Sequence, residues 1–201
     1  MHARAIIAAF ILALACQAQA RHIVLVGDSI ISTPLASRGT RSVAYQLQRK
    51  LREDSVTVWA RGGWSVSVPG YWRPDPQAVA DMAGDLYVVM LGRNDIGALT
   101  APAVFAAAYA SWIDTVHNCG LAGECSVVAV TPLVLPAGDS TPDEPAIRQA
   151  IRDVCAARPW CSLIEGADLV PADARLYADD VHLNDAGLRV LSAALARRLA
   201  Q

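Results

Sequence analysis

From residue 22 onward, short runs of apolar and β-branched residues alternate with longer stretches whose apolar residues recur every three or four positions. This alternation restricts the fold more than any other feature of the chain, because it is the pattern of a parallel sheet covered by helices. Strands are expected at "HIVLVG" (22 to 27), "SVTVWA" (55 to 60), "LYVVMLG" (86 to 92), "SVVAVT" (126 to 131) and "CSLIE" (161 to 165). Several are apolar at consecutive positions, as strands buried on both faces are. Helices are expected over 40 to 53, 77 to 83, 102 to 118, 142 to 157 and 184 to 199. In the last, Leu188, Leu191, Leu195 and Leu199 form a stripe that should bury against the sheet, while Arg189, Arg197 and Arg198 take the other side. Pro102 and Pro142 read as first-turn prolines after Thr100 and Thr141, and Asn184 as an N-cap. With 201 residues, 54% of them hydrophobic, the chain suffices for one domain with a full core.

The first twenty residues stand outside this pattern. His2 and Arg4 lead into "AIIAAFILALA", and "AQA" at 18 to 20 supplies the small residues of a cleavage site, so residues 1–20 read as a secretory signal and 21–201 as the mature, exported domain. The apolar run is shorter than the roughly 20 residues that span a bilayer. Cys16 after "LALA" offers a lipid-anchored alternative, although Ala13 stands where such signals usually carry Leu. Cleavage removes Arg4 and no acid, leaving 16 basic against 19 acidic residues, a net charge of −3. Basic and acidic residues are interspersed along the chain, so neither a nucleic acid partner nor a polybasic membrane patch is expected. Four cysteines remain, Cys119, Cys125, Cys155 and Cys161, in two C-x5-C pairs. In an exported chain these read as disulfides 119–125 and 155–161, each joining the end of a helix to the start of the next strand and each worth about 2 kcal/mol. Zinc would favour tighter C-x2-C spacing, so no metal is expected.

Two long connections, 61 to 76 and 166 to 183, follow strands, and in an open parallel sheet ligands bind beyond the carboxyl ends of the strands. "VLVGDSIIS" sets Ser29 just past the first strand, where Gly27 allows a tight turn. Alone, Gly-Asp-Ser is ordinary turn chemistry. Later strands are followed by "RGGWS", "GRND" (92 to 95) and "DDVH" (179 to 182). His182 is one of three histidines in the expected mature chain, with His22 and His117, and Asp179, three residues before it, can reach back to its ring.

Taken together, these stretches resemble the SGNH hydrolases, the GDSL family of esterases and lipases, whose four sequence blocks occur in this order. Ser29 matches the serine of "GDS", Gly63 the glycine of the second block, Asn94 the asparagine of "GxND", and Asp179 with His182 the "DxxH" block; the likeness spans residues 23 to about 190. It implies a flavodoxin-like three-layer α/β/α sandwich with a central five-stranded parallel sheet and a serine esterase without a cofactor. In that scheme Ser29 is the nucleophile, His182 the base and Asp179 its orienter. The Ser29 and Gly63 backbone N–H groups and the Asn94 amide would form the oxyanion hole, each donor worth about 3 kcal/mol. Gly62 and Asp180 are the rival choices for Gly63 and Asp179. The second block departs from the family by lacking an asparagine shortly before its glycine. Asp28 and Asp95 are expected to order loops as hydrogen-bond acceptors, Arg93 to form a surface salt bridge, and His22 and His117 to be structural or exposed.

The substrate class is open. A compact chain without lid-sized insertions suggests short acyl esters, such as O-acetyl groups of carbohydrates. The alternatives are a lysophospholipase or thioesterase on longer chains, acyl transfer to a sugar, and a noncatalytic envelope-binding protein. Trp64, Tyr71 and Trp72 crowd the second loop but could equally fill local core.

Overall fold

Each of the five apolar runs forms a strand, and all five pair in parallel in one sheet. The computed structural model describes residues 20–68, 73–118 and 125–201. The strands are β1 (His22–Gly27), β2 (Ser55–Ala60), β3 (Leu86–Met90), β4 (Ser126–Val130) and β5 (Cys161–Ile164), in the order β2-β1-β3-β4-β5. Interior strand β1 pairs with both neighbours, Ile23 standing opposite Val56 on one side and Leu86 on the other. The chain leaves β1 to one side first and returns to the other, which puts the topological switch point between β1 and β3, where a crevice opens at the carboxyl ends.

The helices are α1 (Ser29–Ser32), α2 (Val43–Lys50), α3 (Pro76–Ala80), α4 (Arg93–Gly97), α5 (Pro102–His117), α6 (Glu144–Ala156) and α7 (Asp185–Leu199). They divide into two layers because strand side chains alternate between faces. Ile23, Leu25 and Val88 point into one core with Val43 and Leu47 of α2 and the expected stripe Leu188, Leu191, Leu195 and Leu199 of α7. Val24, Val26 and Val89 point into the other, with Val79 of α3, Phe105 and Ile113 of α5, and Ile147 and Ile151 of α6. The result is the expected three-layer sandwich.

The departures from expectation are local. The segment 40 to 53 is not one helix: a 3-10 turn, Gly39–Arg41, precedes Ser42, whose hydroxyl caps α2 by accepting the Tyr45 N–H. At α5 Pro102 lies in the first turn as expected, and Ala101 holds the cap position without a side-chain hydrogen bond. At α6 Asp143 holds the cap position and Pro145 lies in the first turn, so Pro142 precedes the helix. Asn184 caps α7 as expected, accepting from the Ala186 and Gly187 N–H groups. Cys155 and Cys161 form the expected disulfide between α6 and β5; Cys119, and with it the 119–125 pairing, lies outside the described residues.

The Tyr109 hydroxyl is buried in the α5 layer without a hydrogen-bond partner among the described residues. Its ring stacks on Phe105 at 5.4 Å between centroids, and that contact does not need the hydroxyl. Tyr109→Phe is therefore expected to raise stability by about 1 kcal/mol in urea titration, by relieving the desolvation of an unpaired polar atom.

The fold also revises the expectation of evenly mixed charge. The segments carrying α2 and α7 (33–54 and 184–201) hold eight basic and three acidic residues, whereas those carrying α3, α5 and α6 (73–85, 101–118 and 139–158) hold four basic and eight acidic. One helix layer is cationic and the opposite one anionic.

Candidate active site

β1 runs straight into α1, and Ser29 is the first residue of that helix. Gly27 is required there because a Cβ would come within 2.4 Å of the Ile31 side chain, which folds back over the turn. Asp28 caps α1 by accepting the Ile30 N–H at 2.9 Å, the loop-ordering role expected of it. Asp28 is 2% exposed, and burial pushes its carboxyl up to about 6. Because the folded state holds this proton more tightly than the unfolded chain does, the stability it contributes is complete below the ordinary value of 3.8 and is lost as pH rises through about 6. Asp28→Asn keeps an acceptor for the Ile30 N–H and removes the titration. Urea titrations between pH 4 and pH 7 should therefore show the wild type losing about 2 kcal/mol more than the variant.

His182 arrives from the far end of the chain on a loop that is closed on itself. Tyr177 and Leu183 form an antiparallel bridge, the Ala178 N–H donates to the His182 carbonyl at 2.8 Å, and the Asn184 amide donates to the Arg175 and Tyr177 carbonyls. The Tyr177 hydroxyl ties this loop to the segment after β4 through the Val134 carbonyl. Inside the loop, Asp179 accepts the backbone N–H groups of Val181 and His182 at 2.8 and 2.6 Å, while its Oδ2 lies 2.8 Å from His182 Nδ1. These hydrogen bonds, the His182 N–H foremost, hold the Asp179 carboxyl down to about 2. The ionised carboxylate places the imidazole proton on Nδ1, leaving Nε2 to accept from the Ser29 hydroxyl at 3.0 Å. Asp180 is exposed, as expected of the rival carboxylate.

The loop after β2 and the helix after β3 complete the site. Gly63 adopts φ +82°, a left-handed conformation that favours glycine, and a Cβ on neighbouring Gly62 would stand 3.7 Å from that of Ser29. Asn94, in the first turn of α4, donates one amide N–H to the Trp64 carbonyl at 2.8 Å and so locks onto the glycine loop. Asp95 clamps that loop further. Its carboxylate accepts the Ser65 hydroxyl at 2.7 Å, the Val66 and Ser67 N–H groups, and the Ser67 hydroxyl. Asp95 thus orders the loop, as expected, and fully buried Ser65 takes part in the same network.

Arg93 corrects the expectation of a surface pair. It is 9% exposed and makes a two-pronged ion pair with Glu144 of α6, at 2.8 and 3.0 Å, where the Glu144 side chain is fully buried. Ser140 and Arg148 donate to the same carboxylate. Nothing in the sequence links two residues 51 positions apart, and only the Glu144–Arg148 spacing of four hinted at a partner. His22 and His117 are structural: His22 Nε2 meets the Thr57 hydroxyl, and buried His117 donates to the Cys125 carbonyl and stacks on Trp160. Trp64 is 9% exposed and packs in the core, while Tyr71 and Trp72 lie outside the described residues.

The arrangement joins a hydroxyl, an imidazole and a carboxylate in sequence, with an amide donor, Asn94, on the neighbouring helix α4. This is the equipment of nucleophilic acyl chemistry. The chain matches the family model described as GDSL-like Lipase/Acylhydrolase family over residues 25–190. No curated protein matches it in sequence. Among solved structures it is similar to a salicylyl-acyltransferase, SsfX3, from a tetracycline biosynthetic pathway (14% identity, TM-score 0.71), covering 92% of this chain but only 55% of that one. It thus spans about half the length of that protein. It is also similar to a lipolytic protein of the G-D-S-L family from Veillonella parvula (16% identity, 90% and 98% of the two chains, TM-score 0.71). A third is a carbohydrate esterase of family 3 from Talaromyces cellulolyticus (16% identity, 90% and 97%, TM-score 0.67).

Proposed function

Since the chain belongs to the GDSL-like lipase/acylhydrolase family, we propose that it is an exported serine ester hydrolase acting on short acyl esters such as the O-acetyl groups of carbohydrates. The observation that carries the reading is the hydrogen-bonded series from Ser29 through His182 to Asp179, assembled from segments 153 residues apart. Ser29 Oγ attacks the ester carbonyl as its proton passes to His182 Nε2, and Asp179 steadies the imidazolium that forms. The oxyanion is received by the Ser29 and Gly63 backbone N–H groups and by the Asn94 amide N–H not donated to Trp64. His182 returns its proton to the departing alkoxide. Water, activated by the same imidazole, then releases the acid and restores Ser29.

Short acyl groups are favoured by a compact chain without lid-sized insertions. Carbohydrate esters are favoured by the Talaromyces esterase, which shares the fold. Transfer of the acyl group to a sugar uses the same residues and is kept as a second reading because of the likeness to an acyltransferase.

The test is hydrolysis of p-nitrophenyl esters from two to sixteen carbons, with Ser29→Ala alongside. The reading expects turnover that falls with chain length and vanishes in the variant. Faster turnover of twelve-carbon than of two-carbon esters would move the assignment to lipids, and inactivity on all of them would favour an envelope-binding role. Export rests on residues 1–20, of which only Ala20 is among the described residues. The intact mass of secreted protein should begin at Arg21 and lack four hydrogens for two disulfides.

A further inference from the structure

The cations of the α2 and α7 layer are numerous and, apart from Arg198, which pairs with Asp168 at 3.0 Å, make no salt bridge among the described residues. Arg38, Arg41, Arg49, Lys50 and Arg52, all exposed, make no salt bridge among the described residues, and neither do Arg189 and Arg197 of α7. On the opposite layer Arg148, Arg152 and Arg158 are each matched by a carboxylate. With eight basic against three acidic residues, this layer carries a net positive patch that draws anions to itself.

A shallow hollow of ≈ 580 Å³, open to solvent along one side of α2 and the turn before it, is lined by Thr40, Arg41, Tyr45, Gln46, Arg49 and Lys50, and Lys50 also borders a second hollow of ≈ 500 Å³ lined by Arg52 together with Glu53 and Asp54. Tyr45 is 42% exposed and the Arg49 guanidinium stands 6.0 Å from its ring centre. Ser37, three residues before Thr40, is hydrogen-bonded through its N–H and hydroxyl to Asp185, at the start of α7 just after the His182 loop.

We propose that the first hollow binds an acidic polysaccharide, a chain of pyranose rings bearing carboxylates. The Tyr45 face offers a stacking surface for a sugar ring, Arg41, Arg49 and Lys50 meet the carboxylates, and Thr40 and Gln46 offer polar contacts to hydroxyls. A membrane surface fits less well. Peripheral helices press an apolar face into the headgroup region, but the apolar face of α2, Val43 and Leu47, is buried in the core. The exposed Leu35, Trp59, Leu99, Val104 and Leu163 do not line the hollow.

Binding is separable from catalysis and is tested without it, by affinity gel electrophoresis of the full chain in polygalacturonate, in neutral dextran and with phosphatidylglycerol vesicles. The expected result is retardation by polygalacturonate alone, lost as salt shortens the Debye length from about 10 Å at 0.1 M to about 3 Å at 1 M. The combined variant Arg41→Ala, Arg49→Ala, Lys50→Ala should bind about tenfold more weakly, and Tyr45→Ala about threefold more weakly even at low salt. Both should keep wild-type p-nitrophenyl acetate turnover, which shows that they are folded. Equal retardation of the triple variant, equal retention by dextran, or capture by the vesicles without binding to polygalacturonate would overturn the proposal. Loss of ester turnover by wild type would count against the esterase reading and leave the binding result intact.

Discussion

Replacing His182 by alanine is expected to lower kcat/KM for a p-nitrophenyl ester by about 10⁴- to 10⁶-fold. The size follows from what the imidazole does. The Ser29 hydroxyl is a weak nucleophile while it keeps its proton, and Nε2 of His182, 3.0 Å away, is the acceptor the structure places beside it. The loss should be in kcat, because ground-state binding of a small ester does not call on the imidazole. Adding Ser29→Ala to His182→Ala should cost little more, since residues that act as one unit do not have additive effects. Stability should hardly change, because the His182 side chain is 30% exposed. Steady-state kinetics of the two single variants and the double, with urea titrations of each, check this. A His182→Ala variant within tenfold of wild type would contradict the assignment.

The second large effect concerns a residue whose contacts all point away from the reacting hydroxyl. Glu144→Ala is expected to lower stability by about 3–5 kcal/mol, because it leaves the Arg93 guanidinium buried without its counter-ion. Burial alone would push the Glu144 carboxyl up, but hydrogen bonds from Arg93 and the Ser140 N–H outweigh it and hold the group below its ordinary range. The pair is therefore charged at neutral pH. Removing both charges should cost much less than removing one, so Arg93→Met with Glu144→Leu is expected to recover most of the loss in urea titration. Arg93 precedes Asn94 on α4, so the double variant should still show reduced kcat with nearly unchanged KM if the ion pair also positions the amide. A double variant no more stable than Glu144→Ala would refute this account of the pair.

Much of the architecture was legible because it rests on periodicity. All five strands and the long helices α5, α6 and α7 lie within a few residues of their expected spans, since burial on one face writes itself into the spacing of Val, Leu and Ile. The helices α1 and α4 were not, because four or five residues are too few to show a period. They matter nonetheless, since they hold Ser29 and Asn94 in first turns, beside backbone N–H groups that lack partners within the helix. Asp179 and His182 were legible as a pair because both lie in one short loop. The Arg93–Glu144 pair was not, because it joins α4 to α6 across the fold, and sequence shows a long-range partner only through a motif. The separation of charge between the two helix layers was hidden for a similar reason: basic and acidic residues that alternate by segment along the chain are sorted by the sheet onto opposite faces.

The central claim is that Ser29 is a nucleophile activated by His182. Its most direct measurement is labelling of the protein with a fluorophosphonate, which reacts with activated serines, followed by peptide mass analysis. The account predicts one adduct, on Ser29, formed in step with loss of ester turnover and strongly slowed in His182→Ala. Full loss of turnover with Ser29 unlabelled, or labelling of Ser29 at the same rate without His182, would contradict it.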